Sequence, residues 1–330
     1  MDVAWWAWAG TLALIIGMLT FDFVGHVRTP HAPSMREAAW WSAGYVAIAL
    51  AFGAVVWFTA GSVYGGEFFA GYVTEKSLSV DNLFVFVLIM GAFRVPREYQ
   101  QKVLLVGITI ALILRAVFIA LGATMIENFS WVFYLFGLFL LWTAFSQLRE
   151  ANKDDEEYHE GFLLRTVRRF VPTTESFVGD KIVVKVDGRR MITPMLIVMI
   201  AIGSADVLFA VDSIPAIFGL TQETFLVFAA NAFSLLGLRQ LYFLVDGLLD
   251  RLVYLSYGLA LILGFIGVKL IIHALHTNEL PFINGGAHVD NLPEIPTHWS
   301  LLFIVITLIA TAVSSLIKDR YERQKSDQSG

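Results

Sequence analysis

Polar and charged residues are spaced so that the chain falls into nine apolar windows of about 20 residues, near 3–24, 39–60, 72–93, 102–123, 131–148, 192–216, 224–245, 252–274 and 299–317. A run of that length crosses a hydrocarbon core about 30 Å thick as an α-helix. The pattern predicts an all-α polytopic membrane protein with nine transmembrane helices. No basic segment precedes the first run, which continues to about Phe23. It is therefore expected to be a spanning helix rather than a cleaved signal peptide.

The connections carry their charge unevenly. Arg28 and Arg36 follow the first window, and Arg94, Arg97 and Lys102 follow the third. Nine Lys or Arg lie from Arg149 to Arg190, Arg251 follows the seventh window, and Lys318, Arg320, Arg323 and Lys325 close the chain. The connections at 61–71, 124–130, 217–223 and 275–298 contain none. The positive-inside rule then places the N-terminus outside and the C-terminus in the cytoplasm, which requires an odd number of helices.

Composition agrees: 57% of the 330 residues are hydrophobic and 15% charged, which excludes an ordinary soluble enzyme. The net charge of −5 says little, because the charges are confined to loops and a few intramembrane positions. With no cysteine there is neither a disulfide framework nor a thiolate metal site. No HExxH, nucleophile elbow or nucleotide loop occurs, so the expectation is no enzyme, no resident cofactor and no nucleic-acid partner. In the loop 149–190, Asp154–Glu157 reads as a solvated acidic face, while Asp187-Gly188 between a β-branched run and a polar pair predicts a hairpin. The tail beyond Arg320 is expected to fray. His276, Glu279, His288, Asp290, Glu294 and His298 read as ordinary outer-loop chemistry, since their spacing fits no zinc pattern.

Two stretches break the apolar pattern from within: Glu75-Lys-Ser-Leu-Ser-Val-Asp81-Asn82, and Ser204-Ala-Asp206-Val-Leu-Phe-Ala-Val-Asp212-Ser213-Ile-Pro215. An ionised side chain near a bilayer centre costs roughly 2.5–3.5 kcal/mol on insertion scales. Left unpaired, these acids would rival the roughly 5–15 kcal/mol of an entire fold. They must face one another, a cavity or a cation.

The stretches are related. Ser79-Val-Asp81-Asn-Leu83-Phe84 resembles Ser204-Ala-Asp206-Val-Leu208-Phe209, and the second similarity, Leu114-Arg115 with Leu238-Arg239, follows at nearly the same distance. The loop charges send helix three inward and helix six outward, so helices 3–5 and 6–8 form a 3+3 inverted-topology repeat of the kind secondary transporters use around a midplane ion site. The chain divides into two N-terminal helices (1–66), the first unit (67–148), a cytoplasmic loop (149–191), the second unit (192–275), an outer loop (276–298) and a last helix with its tail (299–330). Six residues separate Glu75 from Asp81 and Asp206 from Asp212, which on an ideal helix turns each pair about 120° apart. Local unwinding is therefore expected, near Ser77, Ser79 and Asn82 in one helix and Gly203, Ser213 and Pro215 in the other.

Carboxylates, an amide and hydroxyls are hard oxygen donors suited to Mg²⁺, Ca²⁺ or Mn²⁺. Glu75, Asp81, Asp206 and Asp212 carry four negative charges against two positives on Arg115 and Arg239, and the remaining two equal one divalent cation or two protons, although the place of Arg239 close to the cytoplasmic end of its window argues against its sharing the cavity. Lys76 is expected to snorkel outward. Asn231 is a secondary candidate that an interhelical hydrogen bond explains equally well. Met195 and Met199 on the approach to Asp206 read as packing. The competing reading makes the acids and arginines structural pairs that hold helices together.

At these motifs, and at Asp187-Gly188 before Thr193-Pro194 and Leu236-Gly-Leu-Arg239, the sequence resembles the TerC family, particularly the branch related to the Alx protein, over roughly residues 70–275. The family is named for tellurite resistance. The resemblance implies manganese export across the plasma membrane, with Glu75, Asp81, Asn82, Asp206 and Asp212 at the family's intramembrane acidic positions; Ser79, Ser213, Arg115 and Arg239 are the supporting residues that the charge count and the motifs themselves offer. Gly203 is a departure, since related proteins often have an acid three residues before the Asp206 equivalent. The expectation is a Mn²⁺ exporter with proton entry as the counter-flow, seated in the lipid bilayer. A transporter of Ca²⁺ or a small organic solute, and a non-transporting component of a stress-resistance complex, are the alternatives.

Overall fold

The computed structural model describes residues 3–27, 33–150, 177–186, 189–245, 254–281, 283–289 and 292–329. The acidic run 154–157, the hairpin residues Asp187 and Gly188, Arg251 and Asp290 lie outside the described residues. Ten α-helices follow in order: α1 (Trp5–Asp22), continued by a π-turn (Phe23–Val27), α2 (Met35–Ala60), α3 (Ser62–Ala92), α4 (Arg97–Asn128), α5 (Val132–Glu150), α6 (Pro194–Phe218), α7 (Thr224–Leu236), α8 (Leu238–Val245), α9 (Leu255–His276) and α10 (Thr297–Ser329). Between α5 and α6, β1 (Val183–Val186) pairs antiparallel with β2 (Arg189–Ile192). The pairing of Val186 with Arg189 brackets Asp187-Gly188, the hairpin signal of the sequence.

Eight spans are long and apolar enough to cross a membrane: α1, α2, α4, α5, α6, α7 with α8, α9 and α10. The molecule turns its apolar side chains outward and its charges inward. Trp5, Trp40, Phe58, Leu208 and Ile309 stand exposed around the bundle, while Asp22, Glu75, Arg115, Asp206 and Arg239 are buried. The ninth predicted span, 72–93, lies in α3, whose 31 residues extend about 46 Å. It fails the apolar test through Glu67, Glu75, Lys76 and Asp81.

Several expectations need correction. The connection 61–71 is helical apart from Gly61, the single residue joining α2 to α3 at φ 109°, a conformation that favours glycine. An apolar window cannot see the polar first turns of a helix. The tail beyond Arg320 continues α10 to Ser329. The unwinding expected in the acidic helices does not occur, because α3 and α6 are continuous. Ser77 Oγ donates to the Val73 carbonyl four residues back at 2.6 Å, so its hydroxyl is satisfied within the helix. Pro215 falls in the last turn of α6. The break lies one helix later, at Gly237 between α7 and α8.

Contacts at the glycines fix the relative directions. A Cβ on Gly71 would lie 3.3 Å from both Ile217 Cγ2 and Ala230 Cβ, and Gly107 and Gly203 on α4 and α6 face Ile202 and Ile110 respectively. Together with the polar contacts described below, α3 runs antiparallel to α6 and parallel to α7, and α4 runs parallel to α6. Helices α5 and α9 cross antiparallel at their closest: Gly137 faces Gly267 and Ile271, and Gly264 faces Ala144. Pairings of α4 with α6, α3 with α7, and α5 with α9 are the most extensive between the two three-helix stretches.

Replacing Gly137 by Leu is expected to destabilise the bundle by about 1–3 kcal/mol, since even a Cβ would sit 2.8 Å from Ile271. Gly17→Ala in α1, with nothing within 4 Å, is expected to be neutral or slightly stabilising. Thermal unfolding in a mild detergent compares them.

The hairpin segment is tied to α4 by Lys102 Nζ, which donates to the Asp180 carboxylate at 2.7 Å and to its carbonyl at 2.9 Å. The hydrogen bond from Lys102 holds the Asp180 carboxyl below its ordinary value. This contribution is complete above the usual aspartate pKa and is lost as pH falls through the depressed one. Amide exchange at 177–186 should accelerate in acid beyond its intrinsic rate change, and Asp180→Asn should abolish that excess.

Candidate intramembrane ion site

Arg115 stands inside the bundle with 0% of its surface exposed. Its Nε and Nη2 donate to the two carboxylate oxygens of Asp206 at 2.7 and 3.1 Å, a bidentate pair. Nη1 donates to Glu75 Oε1 and, at 3.1 Å, to Ser213 Oγ. One guanidinium from α4 thus joins α3 to α6. Asp206 and Ser213 are seven residues apart, which returns them to within about 20° on one face of an ideal helix. A long side chain spanning two turns replaces the unwound backbone that the 120° offsets had suggested. The helices approach closely enough because Gly107 and Gly203 carry no Cβ; one at 203 would meet Ile110 Cγ2 at 3.2 Å. The residue standing in place of a family acid therefore lies against α4.

The remaining predicted residues divide. Asp212 is half-buried, within electrostatic reach of Glu75 and Arg115, and its carboxylate accepts from the backbone of residues 212 and 213 but has no ion pair among the described side chains. Asp81 lies on α3, but its side chain is outside the described residues. Asn82 is buried with Nδ2 unpartnered. Ser79 Oγ is 3.5 Å from Ser234 Oγ on α7. Asn231, also on α7, is buried with neither amide atom partnered, and Glu75 Oε2 is in the same condition. The interhelical hydrogen bond considered for Asn231 is not present. Met195 and Met199 are core residues.

Of the two other cations, Arg239 lies apart, as its place near a helix end suggested, and Lys76 is not where the sequence suggested. Arg239 does not share this site: its Nη2 donates to Asp22 Oδ1 at 2.8 Å and its Nη1 to Gln101 Oε1 at 3.0 Å, tying α8 to α1 and α4. Tyr45 is also hydrogen-bonded to Asp22. The break at Gly237 precedes Arg239, so it leaves the line that Arg115 keeps in unbroken α4. Lys76 does not snorkel outward. Its Nζ donates to the Ser234 carbonyl at 3.1 Å, beside Gly237. Asp22, Tyr45 and Gln101 lie outside the motifs that repeat, although a lone carboxylate closing the apolar run 3–24 is itself a signal. Ser234 gives no signal as a single residue inside an apolar run, and Gly237 is marked only as part of Leu236-Gly-Leu-Arg239.

Among the described residues no group of three or more His, Cys, Asp or Glu is arranged to hold a metal ion. At the end of the bundle where α3 begins lies a cavity of about 690 Å³, lined among others by Glu67, Glu223, Lys269, His273 and Glu294. Thr221 Oγ1 donates to Glu67 Oε2 at 2.6 Å, and His276 Nδ1 is 3.4 Å from Glu294 Oε1. Glu67 lies roughly 12 Å along α3 from Glu75.

Residues 60–324 match the family described as integral membrane protein TerC. "Uncharacterized membrane protein Rv2723" of Mycobacterium tuberculosis is 52% identical over 322 residues, covering 97% of this chain and 81% of that protein. "Uncharacterized membrane protein STKORF319" of Myxococcus xanthus is 41% identical over 314 residues, 95% of this chain and 93% of its own. "Putative membrane-bound redox modulator Alx" of Escherichia coli is 38% identical over 274 residues, 80% and 85% of the two chains. No solved structure matches.

Arg115→Met leaves two buried carboxylates without their cation and is expected to cost about 3–5 kcal/mol, part of which Asp206→Asn restores in the double variant. Asp212→Asn, removing an unpaired charge, is expected to change stability by less than about 1 kcal/mol. Unfolding of the purified variants in detergent distinguishes the two acids.

Proposed function

The chain belongs to the integral membrane protein TerC family, and from that premise we propose that it exports a hard divalent cation, Mn²⁺ before others, across the plasma membrane in exchange for protons. It is a multi-pass membrane protein with eight helices of spanning length and composition. We take α3 as a ninth crossing, since it packs between spanning helices on several sides.

The observation that carries the reading is the negative charge left over around Arg115. Glu75 and Asp206 pair with one guanidinium while Asp212 lies within electrostatic reach of it, Glu75 Oε2 has no partner, and Asp212 has no ion pair among the described side chains. With Asp81 the two acidic motifs, 75–82 and 204–215, carry four formal negatives, against two positives from Arg115 and the inward-turned Lys76. An excess of two is costly in a low-dielectric interior unless one divalent cation or two protons match it. That equivalence is what an exchange of M²⁺ for 2H⁺ requires. Every side-chain donor in the set is an oxygen, which favours Mn²⁺ or Ca²⁺ over softer metals. Ion loading then requires Arg115 to release one carboxylate, and the cavity lined by Glu67, Glu223 and Glu294 serves as the outer vestibule.

The packing is consistent with an inverted repeat, and the loop charges give the N-terminus outside. Exchanging α3, α4 and α5 for α6, α7 and α9 turns the α4–α6 pairing into the α7–α3 pairing and returns α5–α9 to itself. The first helices of the two units are antiparallel, as opposite insertion demands. One relative is named a putative membrane-bound redox modulator; a redox role here would have to do without thiols, since this sequence has no cysteine.

In proteoliposomes, Mn²⁺ flux driven by an opposing proton gradient is expected, with Asp206→Asn reducing it by about a hundredfold or more, on the scale of losing one buried charge-assisted interaction. Flux of Ca²⁺ but not Mn²⁺ reassigns the substrate. No flux of either, with Asp206→Asn harmless in cells, makes the protein a non-transporting membrane component.

A further inference from the structure

Lys76 follows Glu75 in sequence but lies in a different setting. Helix α7 stops at Leu236 and α8 restarts at Leu238, with Gly237 between them. A helix that ends inside a bundle turns its last carbonyls, and the negative end of its dipole, into the interior. The Lys76 ammonium sits at that end, donating to the Ser234 carbonyl at 3.1 Å. Gly237 makes the slot: a Cβ there would lie 3.0 Å from Nζ and 3.3 Å from Tyr45 Cβ.

The same seam holds the unpartnered polar atoms. Gly71 lies against Ala230, and Ser79 Oγ lies 3.5 Å from Ser234 Oγ, so α3 and α7 run side by side in the same direction. Glu75 is one turn from each of Gly71 and Ser79, and Asn231 lies between Ala230 and Ser234. Glu75 and Asn231 therefore both belong to the stretch of the seam bounded by those two contacts, 0% and 1% exposed, with Glu75 Oε2 and both amide atoms of Asn231 without partners. A carboxylate oxygen, an amide oxygen and the carbonyl end of a helix form a hard-cation environment, and a protein-borne cation already stands at one edge of it.

We propose that Lys76 is a tethered cation that competes with the transported ion for the α3–α7 seam, leaving Ser234 when a divalent cation seats on Glu75 Oε2 and Asn231 Oδ1. This rests on the export reading above. The ammonium satisfies the broken end of α7 while the seam holds no divalent ion, and its return helps to expel the ion. Lys76 would then be a positioning residue that trades affinity for release.

The test uses the full chain in lipid nanodiscs and proteoliposomes with Mn²⁺ as probe. Lys76→Gln is expected to lower the half-saturating Mn²⁺ concentration about tenfold or more, from the loss of one nearby positive charge, and to lower both KM and kcat for flux. A purely structural role lowers kcat without tightening binding. A second measurement needs no variant: modification of Lys76 by a small membrane-permeant amine reagent, read by mass spectrometry, is expected to rise several-fold when Mn²⁺ binds. Unchanged or weaker Mn²⁺ binding by a folded Lys76→Gln overturns the inference, as does labelling that Mn²⁺ leaves unchanged or suppresses in a sample that binds it. A wild-type protein that binds neither Mn²⁺ nor Ca²⁺ removes the export reading, and this inference with it.

Discussion

A guanidinium taken fully out of water must find an acceptor for nearly every N–H it carries, and Arg115 finds them on two other helices. That requirement locks α3, α4 and α6 together. It also explains why glycines occupy the α4–α6 contact: the guanidinium reaches both oxygens of Asp206 only if the backbones come close, and Gly107 and Gly203 let them. The apolar exterior merely permits the bundle to sit in lipid. The charged centre decides which helices must meet and in which direction.

Arg239 does the corresponding work at a second place, with Asp22 and Gln101 as its acceptors. The two arginines occupy similar places in their sequence stretches and different places in the molecule. Unbroken α4 carries Arg115 to the acids; the interruption at Gly237 hands Arg239 to the N-terminal helix. Lys76 then stands where the second positive charge was expected, so the formal count around the acids is the same with another residue in it.

Most of the architecture was legible because it depends on composition over long windows. Eight helices fall where the apolar runs are, and the Asp187-Gly188 signal lies between two strands in register. The meeting of Glu75, Arg115, Asp206 and Ser213 was legible because a buried charge has few physical options. What stayed hidden depends on single contacts. Whether α3 or α7 breaks turns on Ser77 bonding within its own helix and on a lysine filling the slot at Gly237, and neither follows from propensity. Lys76 was misplaced because snorkelling assumes that water is the nearest relief for an ammonium, whereas the carbonyl end of α7 was nearer. Asp22 was overlooked because it lies outside the motifs that repeat.

Helix α3 has a bearing on how the protein is made. The ribosome delivers its carboxylates before their counter-charge exists: Arg115 emerges 40 residues after Glu75, and Asp206 a further 91 later. A segment that lipid alone would reject must therefore linger at the insertion machinery, or beside α2 across the one-residue bend at Gly61, until α4 arrives. The order of synthesis is part of what the buried charges specify, and the nascent chain is most vulnerable to quality control in that interval.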